Sequence, residues 1–292
     1  MNINQNHVIK LELPKYDLEW LYVPDVVYAE YDNCKRHVQL IVPYRRNWHG
    51  EKYPLIVFVP GSAWYKQDMY SKVPMLGRLA ERGYAVAAVE YRESTIAPFP
   101  AQVQDVKAAI RFLRSKAEEF HLDGEKVFVF GDSSGGHTAL LVGLTENIIE
   151  LDTKMYQEYS CKVNGIIDFF GPTDITKCRE ESAPEEEFLV GGFTPTENLL
   201  GGVDVHSAAE LAEKASCKRY IDKAIPIPPV LVFHGTEDAI VSINQSILLY
   251  NKLIKEEKEA IFYSVEGGNH GGAMYWCSEV MDIIEEFIKK HI

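Results

Sequence analysis

Dense apolar runs alternate with amphipathic stretches along most of this chain of 292 residues. Residues 55–60 (LIVFVP) and 228–235 (PPVLVFHG) are almost purely apolar, which is typical of strands that are covered on both faces. Residues 99–120 instead carry apolar side chains at helical spacing, with Pro100 near the predicted start. This alternation predicts an α/β fold with a mostly parallel central sheet, flanking helices and right-handed crossovers.

The order of the predicted elements refines this architecture. Two strand-like runs joined by a polar break, residues 26–31 and 38–44, predict an opening antiparallel hairpin. Further strands are predicted at residues 55–60, 84–91, 126–131, 163–172, 228–235 and 260–267, and helices at residues 75–83, 99–120, 137–149, 242–257 and 281–292. Because no repeat, low-complexity tract or linker divides the chain, we predict one α/β-hydrolase-like domain over residues 1–292.

The least regular part of the sequence is residues 175–225, which include the run GGFTPTENLLGG. A loop of this length without secondary structure is unusual in a compact domain, unless it is functional or contains helices of its own. We therefore predict a small cap-like insertion whose short helices pack beside the functional site.

The charge balance excludes some classes of partner. Asp and Glu number 43 against 30 Lys and Arg, and 46% of the residues are hydrophobic, which is ample for a buried core. The net charge of −13 would repel phosphate backbones and anionic membrane surfaces, so neither nucleic acid nor a membrane is an expected partner. The acidic run at residues 179–188 (REESAPEEEF) is predicted to be a solvated loop or helix face.

Cysteine usage and the termini bear on the cellular compartment. The five cysteines are scattered and show neither metal-ligand spacing nor a dense disulfide pattern. The amino terminus lacks the basic flank and apolar stretch of a signal peptide, and no uncharged apolar run approaches the ~20 residues that span a bilayer. These features predict a cytoplasmic protein in a reducing environment.

A candidate nucleophile follows the predicted strand at residues 126–131. Gly131, Ser133 and Gly135 match the spacing G-x-S-x-G, in which a serine stands at a strained turn between a strand and a helix and the glycines prevent collisions. The predicted strand before this turn and the predicted helix after it are the context that the motif requires. We predict that Ser133 is a nucleophile, and the alternative is a purely structural glycine-rich turn.

A base and an acid are expected at the same edge of the sheet, because loops at the carboxyl ends of parallel strands gather there. Asp238 follows the predicted strand at residues 228–235, and His270 follows the next one within VEGGNHGG. A serine hydroxyl needs a base, and histidine serves when a carboxylate orients its ring. The order Ser133, Asp238, His270 therefore predicts a catalytic triad.

Other residues near these positions have competing interpretations. Glu237 is adjacent to Asp238, and Asp168 and Asp174 follow another predicted strand, so each is an alternative acid. His234 is interpreted as a buried strand-end residue and His137 as a packing residue one turn into the predicted helix.

The developing oxyanion of acyl transfer requires backbone donors. We expect one from the N–H of Ser134 and another from Ser62 or Ala63, in the loop after the predicted strand at residues 55–60. The Ser62 hydroxyl is either a third donor or a bond within its own loop. Trp64 either forms a wall of the acyl pocket or anchors the loop.

Together these residues resemble the α/β-hydrolase superfamily, and more narrowly the carbohydrate-ester esterases related to bacterial feruloyl and acetylxylan esterases. The resemblance extends from about residue 26 to the end and rests on the motifs GSAW, VEYR, APFPAQVQDVKAAIRFLR, FGDSSGGH, FFGPTD, FHGTEDAIVSINQS and EGGNHGG. Relatives usually carry His-Gly-Gly-Gly-Trp where this chain has Pro60, Gly61, Ser62, Ala63 and Trp64.

The resemblance implies a serine carboxylesterase that hydrolyses small acyl or hydroxycinnamoyl esters of plant-derived carbohydrates through an acyl-enzyme on Ser133. Its substrate would be a small-molecule or oligosaccharide ester, and the mechanism requires no cofactor or metal. One alternative is an arylformamidase similar to kynurenine formamidase. Another is a catalytically silent hydrolase fold that serves in binding.

Overall fold

Eight strands form the central sheet in the computed structural model, which describes residues 9–13, 18–45, 49–178 and 188–292. The strands are β1 (Leu18–Tyr31), β2 (Cys34–Arg45), β3 (Tyr53–Val59), β4 (Ala85–Val89), β5 (Leu122–Asp132), β6 (Gly165–Phe169), β7 (Val230–Gly235) and β8 (Ala260–Val265). Their order is β1-β2-β4-β3-β5-β6-β7-β8, and β2 is antiparallel to both its neighbours while all other pairs are parallel. The predicted mostly parallel α/β sheet with an opening hairpin is confirmed.

The hairpin is longer than the apolar pattern predicts. Asp32 and Asn33 have φ angles of 49° and 64°, which suit the two-residue turn that best matches strand twist. The pairing continues back to Leu18, although the register shifts between Val23 and Val26. Most side chains before Val26 are exposed or half-buried because β1 is an edge strand, so its first part lacks a dense apolar signal.

Helices cover both faces of the sheet. They are α1 (Val73–Ala80), α2 (Ala101–Ser115), α3 (Ser134–Leu144), α4 (Pro195–Leu199), α5 (Ala209–Lys214), α6 (Asn244–Lys255) and α7 (Ser278–Lys290). One apolar core packs α2, α3 and α6 against the sheet, and the other packs α1 and α7 against the opposite face. Such double coverage explains the unbroken apolar runs of β3, β5 and β7.

The segment predicted as a cap-like insertion contains α4, α5 and a 3₁₀ turn at Cys217–Tyr220 within its described residues, 175–178 and 188–225. It contacts the loop after β3, because the Tyr65 hydroxyl donates to the Phe188 carbonyl at 3.1 Å and accepts from the Asn198 amide at 3.1 Å. Short helices are therefore present, whereas the cap role and the single domain stay predictions. Residues 179–187 of the acidic run lie outside the described residues.

None of the helices in the described part of the chain combines the length and the apolar composition needed to cross a bilayer.

Candidate active site

A sharp backbone reversal connects β5 to α3 at Ser133. Its φ of 54° and ψ of −128° place a non-glycine residue in a strained conformation. The two flanking glycines are required by close approach. A Cβ on Gly131 would lie 2.2 Å from the Gly135 carbonyl oxygen, and a Cβ on Gly135 would lie 2.0 Å from the Val59 carbonyl oxygen. The turn therefore holds the Ser133 side chain at the carboxyl edge of the sheet.

Three side chains from three loops form a continuous hydrogen-bonded chain at this edge. The Ser133 Oγ lies 2.9 Å from His270 Nε2, and His270 Nδ1 lies 2.8 Å from Asp238 Oδ2. The Asp238 side chain is fully buried and the His270 side chain is 14% exposed. The structure thus brings together the residues that the sequence predicts as nucleophile, base and acid.

The Asp238 carboxylate is held by donors on both oxygens. Oδ1 accepts the N–H groups of Ile240 and Val241, each at 2.9 Å, and Oδ2 lies 3.2 Å from His234 Nε2 as well as contacting His270. Burial alone would raise the pKa of Asp238, but the hydrogen bonds from His234 and His270 outweigh burial and hold this pKa well below its usual range. The carboxylate is therefore ionised at neutral pH and favours the His270 tautomer that presents a free Nε2 lone pair to Ser133.

The other carboxylates considered from the sequence have different partners. Asp174 Oδ2 lies 2.7 Å from Lys218 Nζ. Asp168 is fully buried, with Oδ1 accepting the Gly171 N–H at 3.1 Å. Among the described residues, Asp238 is the carboxylate that contacts His270.

The loop after β3 lies against the backbone reversal at Ser133. The Gly61 N–H donates to Asp132 Oδ1 at 2.7 Å, and the Ser62 N–H donates to Ser134 Oγ at 2.9 Å. The Ser62 hydroxyl donates to the Tyr65 carbonyl at 2.7 Å, so it bonds within its own loop. The Ala63 N–H has no acceptor among the described residues. It is therefore available for a ligand, together with the Ser134 N–H at the start of α3.

Trp64 serves both of the roles considered for it. Its buried indole N–H donates to His137 Nδ1 at 3.1 Å, which anchors the loop, and its side chain also lines a pocket at Ser133. His137 Nε2 donates to the Ala215 carbonyl at 2.7 Å. Burial lowers the pKa of His137 to about 4, so this packing residue is neutral at physiological pH.

Two residues at the site were not identified from the sequence. Phe170 has a φ of 43°, and its ring centroid lies 4.6 Å from that of His270, so it supports the imidazole from one side. Asp132 bonds Gly61 through one oxygen, and its other oxygen lies 3.1 Å from Lys72 Nζ. Their positions next to β6 and next to Ser133 are the signals that could have found them.

A small pocket opens beside Ser133. Its volume is about 80 Å³. The described residues that line it are Ala63, Trp64, Ser133, Ser134, Pro172, Cys178, Phe188, Pro195, Ile240 and Val241. A larger cavity of about 330 Å³ lies at the other end of α3, beside Leu144 and Leu151, and contains none of the three hydrogen-bonded residues. The smaller pocket is therefore the one placed to hold a group that reacts at Ser133.

Comparison with known proteins places this geometry in a wider context. The model of the BD-FAE family matches residues 43–253. Among curated proteins, the chain is similar to esterase LipC of Mycobacterium tuberculosis, with 27% identity over 229 residues, covering 78% of this chain and 55% of that protein. The chain spans about half the length of the curated relatives it matches.

Two solved structures resemble the chain over most of its length. A truncated form of a carbohydrate esterase from gut microbiota has a TM-score of 0.80 and 26% identity, covering 93% of this chain and 96% of that one. A bifunctional GH43-CE protein of Bacteroides eggerthii has a TM-score of 0.78 and 29% identity, covering 92% of this chain and 38% of that one.

Replacing Asp168 is expected to change how stability depends on pH. Burial raises the pKa of Asp168 to about 7, and its Oδ2 has no hydrogen-bond partner among the described residues. Because the folded pKa exceeds the unfolded one, the Asp168 contribution is fully present below about pH 4 and is lost as pH rises to about 7. Between pH 5 and pH 8, wild type should lose about 3 kcal/mol relative to Asp168→Asn.

Urea unfolding of both proteins at pH 5 and pH 8 measures this difference. A constant offset caused by the new amide cancels when the two pH values are compared. Parallel pH dependence of the two proteins would show that Asp168 does not titrate in this range.

Ala63→Gly is expected to stabilise the protein. Ala63 has a φ of 53°, a left-handed conformation that costs a non-glycine residue roughly 1–2 kcal/mol. Glycine avoids this strain but loses about 0.5–1 kcal/mol to the entropy of the unfolded chain. The free energy of unfolding should therefore rise by about 0.5–1 kcal/mol. Ala209→Gly, at an exposed position of α5, is the control and should have the opposite sign; a loss of stability in both variants would refute the strain.

Proposed function

Because this chain belongs to the BD-FAE family of α/β-hydrolase esterases, we propose that it hydrolyses small acyl esters of carbohydrates through an acyl-enzyme on Ser133. The observation that carries the proposal is the chain of hydrogen bonds from Ser133 through His270 to Asp238, at 2.9 Å and 2.8 Å. The available N–H groups of Ala63 and Ser134 beside it supply the donors that acyl transfer needs.

The first half of the reaction transfers the acyl group to the enzyme. His270 Nε2 takes the proton of Ser133 as its Oγ attacks the ester carbonyl carbon, and Asp238 stabilises the resulting imidazolium. The carbonyl oxygen becomes an oxyanion, which accepts hydrogen bonds from the Ala63 and Ser134 N–H groups. When the intermediate collapses, His270 gives its proton to the alcohol oxygen, and the alcohol leaves.

The second half of the reaction releases the acid. His270 takes a proton from water, whose oxygen attacks the acyl carbonyl carbon, and the same N–H groups hold the second oxyanion. Collapse breaks the bond to Ser133 Oγ, which regains its proton from His270. Each step uses groups of this chain and water.

The pocket beside Ser133 supports acetyl rather than hydroxycinnamoyl groups. Its volume is about 80 Å³ among the described residues, whereas a cavity of about 150 Å³ is the kind that holds a single benzene ring. A hydroxycinnamoyl group adds a three-carbon chain to such a ring. The carbohydrate portion of the proposed substrate rests on the similarity to the two solved structures, a carbohydrate esterase and a GH43-CE protein.

The size of the pocket predicts a steep dependence on acyl length. In a series of 4-nitrophenyl esters, kcat/KM should be highest for acetate and fall about 10-fold or more with each lengthening beyond propionate, because overpacking costs 1–3 kcal/mol. Methyl ferulate should be a poor substrate, whereas acetylated xylo-oligosaccharide should be hydrolysed. Efficient turnover of ferulate would contradict the acetyl assignment.

Ile240→Ala tests whether the pocket wall sets this limit. Ile240 lines the pocket and is 39% exposed, so its truncation should improve kcat/KM for butyrate relative to acetate. Ile247→Ala is the matched control, since Ile247 is 38% exposed but does not line the pocket. Equal selectivity in both variants would place the limit elsewhere.

Ser133→Ala should abolish esterase activity. Loss of the nucleophile in a triad lowers kcat by about 10⁴-fold or more, because its residues act as a unit. A fluorophosphonate probe should add one mass label per wild-type chain and none to the variant. Full activity in the variant would refute the nucleophile, inactivity of wild type on every ester would refute esterase function, and preference for N-formylkynurenine would favour an arylformamidase.

A further inference from the structure

The hydroxyl group of Ser134 occupies an unusual position behind the available N–H groups. Its side chain is 2% exposed, and its Oγ accepts the Ser62 N–H at 2.9 Å. The two residues are 72 positions apart, so this contact joins the start of α3 to the loop after β3. A hydrogen bond of this kind removes the Ser62 N–H from the set of groups that a substrate could use.

A second contact of the same kind lies on the other side of Ser133. Asp132 Oδ1 accepts the Gly61 N–H at 2.7 Å. The side chains that flank Ser133 in sequence therefore hold two consecutive amides of the facing loop. The next amide, that of Ala63, is the first that is left without an acceptor among the described residues.

Tyr91 supports the loop from behind. It is 1% exposed, its hydroxyl donates to the Pro60 carbonyl at 3.0 Å, and it lies 3.0 Å from the Ser62 hydroxyl. Burial raises the pKa of Tyr91 to about 12, against opposing hydrogen bonds from Ser62 and Ser134. The phenol is therefore neutral at physiological pH and available as a donor.

The conformation of the loop explains why such contacts are needed. Ala63 and Trp64 have φ angles of 53° and 57°, and consecutive non-glycine residues in this region are strained. Strained backbone persists where surrounding contacts over-determine it. The bond from Ser62 to Ser134 is the contact nearest to Ala63 on its amino-terminal side.

We infer that the Ser134 side chain is a positioning residue for the oxyanion donors: by accepting the Ser62 N–H, it directs the Ala63 N–H toward the reacting carbonyl oxygen. This inference rests on the proposed function, because it assigns a role within ester hydrolysis. The hydroxyl touches neither the ester nor His270. Its effect passes through the backbone between Ser62 and Ala63.

Two substitutions remove the acceptor while keeping the backbone N–H of Ser134. Ser134→Ala deletes the hydroxyl, and Ser134→Cys retains a side chain of similar shape whose sulfur is a weak acceptor. Thr138→Ala is the matched control, because the Thr138 hydroxyl is also buried on α3 and donates to the Ser134 carbonyl at 2.9 Å. Ser133→Ala reports on the proposed function in the same assays.

The experiment measures kcat and KM with 4-nitrophenyl acetate and the inhibition constant of a trifluoromethyl ketone, whose adduct on a serine carries an oxyanion. Removing a whole oxyanion donor costs about 10²–10³ in kcat, so displacing one should cost about 10- to 30-fold. We expect this loss in kcat for Ser134→Ala and Ser134→Cys, with KM within about twofold and the inhibition constant raised by a similar factor to the loss in kcat. Thr138→Ala should retain wild-type kinetics.

Other results would overturn the inference. They are wild-type kcat in Ser134→Cys, an equal loss of kcat in Thr138→Ala, or a kcat loss with an unchanged inhibition constant. A gain in kcat in Ser134→Ala would also overturn it, because the released Ser62 N–H would then be the better donor. If Ser133→Ala is inactive while the Ser134 variants match wild type, the inference fails and the proposed function stands. If Ser133→Ala is as active as wild type, the proposed function fails with it.

Discussion

The close approach of three backbone segments at Gly135 is the constraint on which the site depends. Because a Cβ there would lie 2.0 Å from the Val59 carbonyl oxygen, the end of β3 can contact the start of α3 directly. This contact brings the loop after β3 within hydrogen-bond distance of Asp132 and Ser134. The same crowding forces Ser133 into its strained conformation, so the nucleophile and its facing loop have one physical origin.

Two buried aspartates at this edge of the sheet illustrate how environment decides protonation. Asp238 contacts two backbone N–H groups and two imidazole rings, and its pKa is held well below its usual range. Asp168 accepts one backbone N–H, and burial raises its pKa to about 7. Since burial penalises the charged form of both, the number of donors decides which carboxylate stays ionised. That carboxylate is the one beside His270.

The sequence predicts what regular structure determines and misses what depends on contacts between loops. The apolar runs locate β3 through β8, and the spacing around Ser133 with the positions of Asp238 and His270 identifies the residues that meet. The choice between Ser62 and Ala63 as donor could not be predicted, because it depends on a bond to Ser134, 72 positions away. No local pattern reports such a distance.

The pocket shows the same division between regular and irregular structure. Its reactive side, at Ser133, is formed where β5 meets α3, whereas Phe188 and Pro195 come from the irregular segment after β6. Changes in that segment can alter the pocket without moving β3, β5 or α3, whose packing holds the nucleophile. Under the proposed function, acyl specificity is therefore separable from catalysis. This explains why the motifs around Ser133 and His270 predict a reaction class more sharply than an acyl group.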